Sequence, residues 1–135
     1  MRFQFKINTI PSGWASIVHF TNTGQSCCSI GSRIPAVMLL RNKLHVFYAL
    51  GGNGNFGRER SSNVRADAGI ITDRWYDIDI QQYKGLLWVV VDGMTMIQEA
   101  QSDPREYTNV KAYAGLSKGD PVADGSIRWM RYIKY

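Results

Sequence analysis

Residues 74–96 read RWYDIDIQQYKGLLWVVVDGMTM, and this stretch decides the fold. Tyr76, Ile78 and Ile80 fall on one side of an extended chain, with Asp77, Asp79 and Gln81 on the other. Successive side chains of a strand point to opposite faces, so the spacing predicts a strand buried on one face and wet on the other. A second apolar run, 86–91, follows Tyr83-Lys84-Gly85, and Asp92-Gly93 separates it from a third β-rich run at 95–100. Asp-Gly between two such runs is a strong hairpin signal, because both residues tolerate the positive φ of a tight turn.

Working outward, the period of two recurs. Residues 2–7 set Phe3, Phe5 and Ile7 against Arg2, Gln4 and Lys6, and β-rich runs follow at 14–21, 35–40, 43–50, 109–115 and 126–135. The expected interior positions are Phe3, Phe5, Val18, Phe20, Val46, Tyr48, Ile78, Ile80, Val89, Val91 and Trp129, while Arg128, Met130, Tyr132 and Lys134 are expected together on a solvent face. No window combines helical period with caps, although 103–107 suits a single turn. Nine short strands without a helix predict one domain, residues 1–135, built as an all-β two-sheet sandwich or closed barrel. Residues 51–69, GGNGNFGRERSSNVRADAG, read as a long irregular loop, the kind of segment that carries function.

Composition agrees. At 135 residues the chain can bury a core without disulfides, and 44% hydrophobic with 20% charged residues excludes disorder. The net charge of +5 suits acidic partners such as sulfated or sialylated glycans or nucleic acid, and equally an ordinary soluble surface. No run reaches the roughly 18 apolar residues of a membrane span. The alternating N-terminus lacks the apolar core of a signal peptide, so the chain is either intracellular or has lost a leader.

The pieces 14–24, 31–55, 74–96, 109–115 and 124–133 in this order resemble the concanavalin A-like lectin/glucanase superfamily, in particular its laminin-G-like modules. A Trp-led strand, a hairpin ending in Val91-Asp92-Gly93 and a last strand returning beside the first carry the likeness over nearly the whole chain. The resemblance implies a jelly-roll sandwich of two antiparallel sheets. It also implies an extracellular module of lectin or cell-adhesion type. Such modules often hold a calcium ion at a sheet rim by carboxylates and carbonyls. Asp120 and Asp124, with Asp67 and Asp73, are the loop acids available for it here.

The superfamily's glucanases need paired acids on one strand, one of them with a raised pKa. Glu59, Glu99 and Glu106 are the chain's glutamates, and none sits two or three residues from another acid on a strand. Asp77 and Asp79 share a face but Gln81 holds the third place, which reads as a solvated strand face rather than a hydrolase site. His19 and His45 are mid-strand, outside any nucleophile signature; His19 opposes Val18 and Phe20 and reads as a hydrogen-bonded structural histidine. The glycine-rich 51–57 lacks the Gly-Lys-Ser/Thr ending of a phosphate loop. Arg33 and Arg74 read as strand-edge residues that pin loops to backbone carbonyls. The basic stretch 58–65 has one nearby aromatic, Phe56, and lacks the interleaved stacking residues of a nucleic-acid binder.

Binding remains. Asn53, Asn55, Phe56, Arg58 and Arg60 offer amides, an aromatic ring and guanidinium groups within eight residues, the mixture a sugar site uses. A solvated hairpin extension reads the same residues equally well. Cys27 and Cys28 are adjacent and the chain holds no other cysteine. They are bonded to one another in a strained ring, free in a reducing compartment, or paired outside this chain; adjacent thiols point apart in extended chain, which argues against zinc. The expectation is a non-enzymatic extracellular recognition module that binds a glycan or glycoprotein through rim loops 51–62 and 116–125, with Asn53, Asn55, Phe56, Arg58, Arg60, Asp120 and Asp124 as ligand residues. Calcium is a possible cofactor at Asp120 and Asp124, and Cys27 and Cys28 serve assembly. The rival is a structural or adhesive block that self-associates.

Overall fold

The computed structural model describes residues 1–25, 31–50, 58–64, 69–100, 107–115 and 121–133. Those residues form ten strands: β1 (Arg2–Ile7), β2 (Trp14–Thr21), β3 (Ala36–Leu40), β4 (Lys43–Leu50), β5 (Arg58–Val64), β6 (Trp75–Tyr83), β7 (Leu86–Val91), β8 (Met94–Ala100), β9 (Lys111–Ala114) and β10 (Gly125–Arg131). The first sheet has the order β10-β1-β6-β7-β8 and the second β5-β4-β3-β2-β9, with antiparallel pairing throughout. The chain is an all-β, two-sheet jelly-roll β-sandwich, as the alternation predicts.

The opening stretch forms as read. Lys84-Gly85 and Asp92-Gly93 all have positive φ, between 48° and 80°, the geometry of tight turns whose twist matches the flanking strands. Tyr76, Ile78 and Ile80 turn inward, joined by Val89 and Val91 from β7. Phe3, Phe5 and Ile7 of β1 meet them, with Phe5 stacked on Tyr76 at 5.4 Å. The second sheet closes the core with Val18, Phe20, Val37, Leu39, Leu44, Val46 and Tyr48. Each such side chain contributes about 1.5–3 kcal/mol by leaving water, so this interior outweighs any surface term.

Strand β2 departs from simple alternation, since everything from Ala15 to Thr21 is buried. An extra residue at Ile17 shifts its register with β3. Ser16 Oγ donates to Gly115 O at 2.8 Å and Thr21 Oγ1 to Gly31 O at 3.1 Å, so the buried hydroxyls are satisfied. His19 is fully buried with Nε2 at hydrogen-bond distance from Ser32 O, the structural role expected of it.

Two expectations need correction. Residues 58–64, read as part of a loop, form β5 and pair with β4 from Leu50↔Arg58 to Leu44↔Val64. The segment is polar, as suits a sheet edge, so no apolar alternation marks it. Trp129, expected inside, is 65% exposed. Two steps along β1, from Arg2 to Gln4, face three along β10, from Arg131 to Arg128, and Trp129 takes up the surplus at φ 54°. The bulge throws its indole outward. Met130 and Tyr132 of the expected solvent row are exposed, while the Tyr132 ring also stacks on Phe20 of the second sheet, with centroids 6.1 Å apart; Lys134 lies outside the described residues.

Candidate functional site

The outer face of the first sheet gathers polar and aromatic side chains from three neighbouring strands. Alternation along β1 puts Arg2, Gln4 and Lys6 outside, and register sets Arg128 and Asp77 on either side of Gln4. A row of hydrogen bonds follows: Arg128 Nε donates to Gln4 Oε1 at 3.0 Å, and Gln4 Nε2 donates to Asp77 Oδ2 at 3.1 Å. Arg2 grips the same carboxylate from the diagonal position, Nε to Oδ1 at 3.0 Å and Nη2 to Oδ2 at 3.1 Å. Beneath it, the hairpin is tied down by Asp92, whose Oδ1 accepts from Asp77 N at 2.9 Å while Oδ2 accepts from Arg74 at 2.9 Å. Arg74 therefore meets a carboxylate and the Tyr76 ring, not the backbone carbonyl expected of it.

The Arg128 guanidinium lies between two indoles, 3.8 Å from the Trp75 centroid and 4.2 Å from that of Trp129. That sandwich holds the exposed Trp129 ring as one wall of a depression of about 390 Å³, lined by Arg2, Phe3, Gln4, Asp77, Trp129 and Arg131. Partial burial works to raise the Asp77 pKa, but the Arg2 and Gln4 hydrogen bonds and the Arg2 charge outweigh it, so the carboxyl sits below its ordinary range. Asp77 is thus held ionised at neutral pH, fit to accept hydrogen bonds and unfit to serve as a general acid. Asp79, on the same face, accepts from Gln81 Nε2 at 2.7 Å.

A second aromatic cluster lies on the outer face of the other sheet. Trp14, 38% exposed, reaches across β3 to pack against His45 at 4.9 Å and Phe47 at 5.5 Å, and the Arg33 guanidinium caps Phe47 at 4.4 Å. Both His45 ring nitrogens are buried and lack a hydrogen-bond partner among the described residues. Burial first, then the Lys43 charge, pushes this imidazole's pKa down, so it is neutral at pH 7.

Of the residues expected to bind ligand, Asn53, Asn55, Phe56 and Asp120 lie outside the described residues, as do Cys27 and Cys28. Arg58 and Arg60 stand on β5 opposite Leu50 and Tyr48. Asp124 braces the turn after β1: its carboxylate accepts from Thr9 Oγ1 at 2.8 Å and Asn8 Nδ2 at 3.2 Å. Both Asp124 oxygens are engaged, and among the described residues no three His, Cys, Asp or Glu side chains converge; Asp120, its expected partner for calcium, lies outside them. The depression itself was missed by sequence reasoning. Its residues come from both ends of the chain and its middle, and the signal that bore on them was the outward half of RFQFK, opposite the apolar half that fixed the strand.

No protein-family model matches the chain, and no curated protein matches its sequence. Solved structures do match its fold. The receptor-binding domain of botulinum neurotoxin mosaic serotype C/D is similar with a TM-score of 0.55 at 13% identity, over 93% of this chain and 31% of that one. Alginate lyase A1-II′, of polysaccharide lyase family 7, is similar with a TM-score of 0.53 at 12% identity, over 93% of this chain and 55% of that one. The chain thus spans about a third and about half of these proteins, and what it shares with them is the two-sheet β-sandwich.

Proposed function

We propose that this chain is a non-catalytic carbohydrate-recognition domain whose ligand sits in the depression on the first sheet. The observation that carries this reading is Trp129, a 65% exposed indole turned out of the core by its own backbone and pinned by Arg128. An exposed aromatic face costs free energy in water and repays it by covering the apolar face of a sugar ring. Around it stand the polar groups a sugar's hydroxyls use: the Asp77 carboxylate as acceptor, the Gln4 amide, and the Arg2 and Arg131 guanidinium groups as donors. Fixed partners on Asp77, Gln4 and Arg128 mean little ordering remains to be done on binding.

The sequence's laminin-G-like resemblance and the two structural neighbours, one a receptor-binding domain and one an alginate lyase, support a glycan or glycoprotein partner. An extracellular setting follows from that partner. Catalysis is not proposed, because the Asp77 carboxylate is held ionised and engaged by Arg2 and Gln4 and Asp79 is bonded to Gln81. The test is a glycan array followed by titration calorimetry. Wild-type binding that Trp129→Ala abolishes, with thermal unfolding unchanged, supports the reading. A silent array together with ordered self-assembly favours the structural building block, and turnover of a polysaccharide lost in Asp77→Asn overturns the non-catalytic claim.

A further inference from the structure

We infer that the depression selects a sugar ring carrying an anionic group, with Arg131 as the residue that reads the charge. This rests on the carbohydrate reading above and names its ligand class.

Three observations converge. First, Arg2 and Arg131 are direct cross-strand partners of β1 and β10, so two guanidinium side chains share one rim of the depression, and Asp77 neutralises only that of Arg2. Second, the charges around them are unevenly spent. Asp77, the carboxylate lining the depression, is occupied by Arg2 and Gln4, and Asp79, the register partner of Arg2 on β6, bonds to Gln81. The Arg128 guanidinium is covered by Trp75 and Trp129. Arg131 has no acidic partner among the described residues and lines the same space. Third, the depression is walled on one side by Trp129 and holds Arg131 in its lining, so a ring stacked on the indole presents its substituents to a guanidinium. A planar guanidinium meets carboxylate or sulfate oxygens in pairs, where an ammonium would supply a point charge. The shared chemistry is an oxyanion on a sugar ring, from a uronic acid or from a sulfate ester.

The experiment compares three probes by calorimetry on the whole chain: a trisaccharide of uronic acid units, its carboxyl-reduced neutral counterpart, and a sulfated neutral trisaccharide. Wild type is expected to bind an anionic probe about three- to tenfold tighter than the neutral one, the scale of a partly exposed charge-assisted contact. The preference shrinks as salt rises past ~0.1 M. In Arg131→Gln the anionic-to-neutral ratio falls to about one, while in Arg131→Lys it stays between one and the wild-type value. Whichever anionic probe shows the larger Arg131-dependent gain identifies the source, and either gain supports the inference. Equal wild-type affinity for charged and neutral probes overturns it and leaves the carbohydrate reading standing, as does a preference that survives Arg131→Gln. If none of the probes binds, the carbohydrate reading fails and the inference falls with it.

Discussion

Replacing Arg128 with alanine tests whether the Trp129 wall is built or incidental. The side chain stacks on two indoles and donates to Gln4, which in turn holds Asp77. At a half-exposed position each cation–π contact contributes roughly 0.5–1 kcal/mol. The hydrogen bond contributes about 0.5–1.5 kcal/mol more. Truncation also frees a long side chain, which returns up to ~1 kcal/mol of rotamer entropy. The net expectation is a loss of about 1–2 kcal/mol, or about 4–8 °C in Tm for a domain of this size. Urea unfolding followed by tryptophan fluorescence reads it, since Trp75 and Trp129 both sit on the perturbed group. Lysine keeps the charge but not the flat face, so Arg128→Lys should recover less than half of the loss. Binding offers the second readout. An indole no longer held costs roughly 0.5–1.5 kcal/mol to immobilise, so sugar affinity should fall about threefold to tenfold. A double-mutant cycle with Trp129→Ala should show coupling above ~0.5 kcal/mol. Stability within ~0.3 kcal/mol of wild type, unchanged affinity or a zero coupling term would each refute the argument.

Two further perturbations probe the frame around the site. A Cβ on Gly125 would lie 2.2 Å from the Lys6 carbonyl oxygen and 3.2 Å from the Ile7 Cα, both backbone atoms, so Gly125→Ala must part β10 from β1. It should cost about 3 kcal/mol in urea unfolding, and a change below ~0.5 kcal/mol would contradict the close approach. On the opposite sheet, His45 is held below its ordinary pKa by burial and Lys43, so the unfolded chain takes up its proton first as pH falls through ~6.5. Stability therefore declines from that pH downward, and His45→Phe, which keeps a ring against Trp14 and Phe47, should flatten the decline measured between pH 7.5 and 5. An identical slope in both proteins would show that the imidazole does not carry it.

The parts of this fold that were legible are those where burial and period agree. The hairpin 75–91 reads correctly because Tyr76, Ile78, Ile80, Val89 and Val91 alternate and all reach the interior. Its turns read correctly because Lys84-Gly85 and Asp92-Gly93 adopt the positive φ that their composition admits. Strand β5 was illegible for the converse reason: it pairs through its backbone with β4, and a ladder of main-chain bonds leaves no mark on side-chain pattern.

The site was illegible for a different reason, which also explains where it lies. Period-two reasoning assigns faces by counting, and one surplus residue reverses every assignment beyond it. On β10 that surplus falls at Trp129, so the largest apolar side chain of the strand passes from the predicted interior to the surface, beside the arginines that counting had already placed there. An indole expelled into water is a cost the fold carries, and the chain reduces it with Arg128 rather than by burying the ring. Arg131 stands beside it with no acidic partner among the described residues, across the ladder from Arg2, whose own charge Asp77 meets. An exposed ring and an unneutralised guanidinium at one depression suit a preorganised binding surface, since one ligand can cover the first and meet the second at once. If the anionic probes bind and Arg131→Gln erases the preference while leaving the unliganded domain at least as stable as wild type, Arg131 is shown to serve the ligand and not the fold. A loss of unliganded stability in Arg131→Gln would refute that account, because it would mean the guanidinium is held there by contacts of its own.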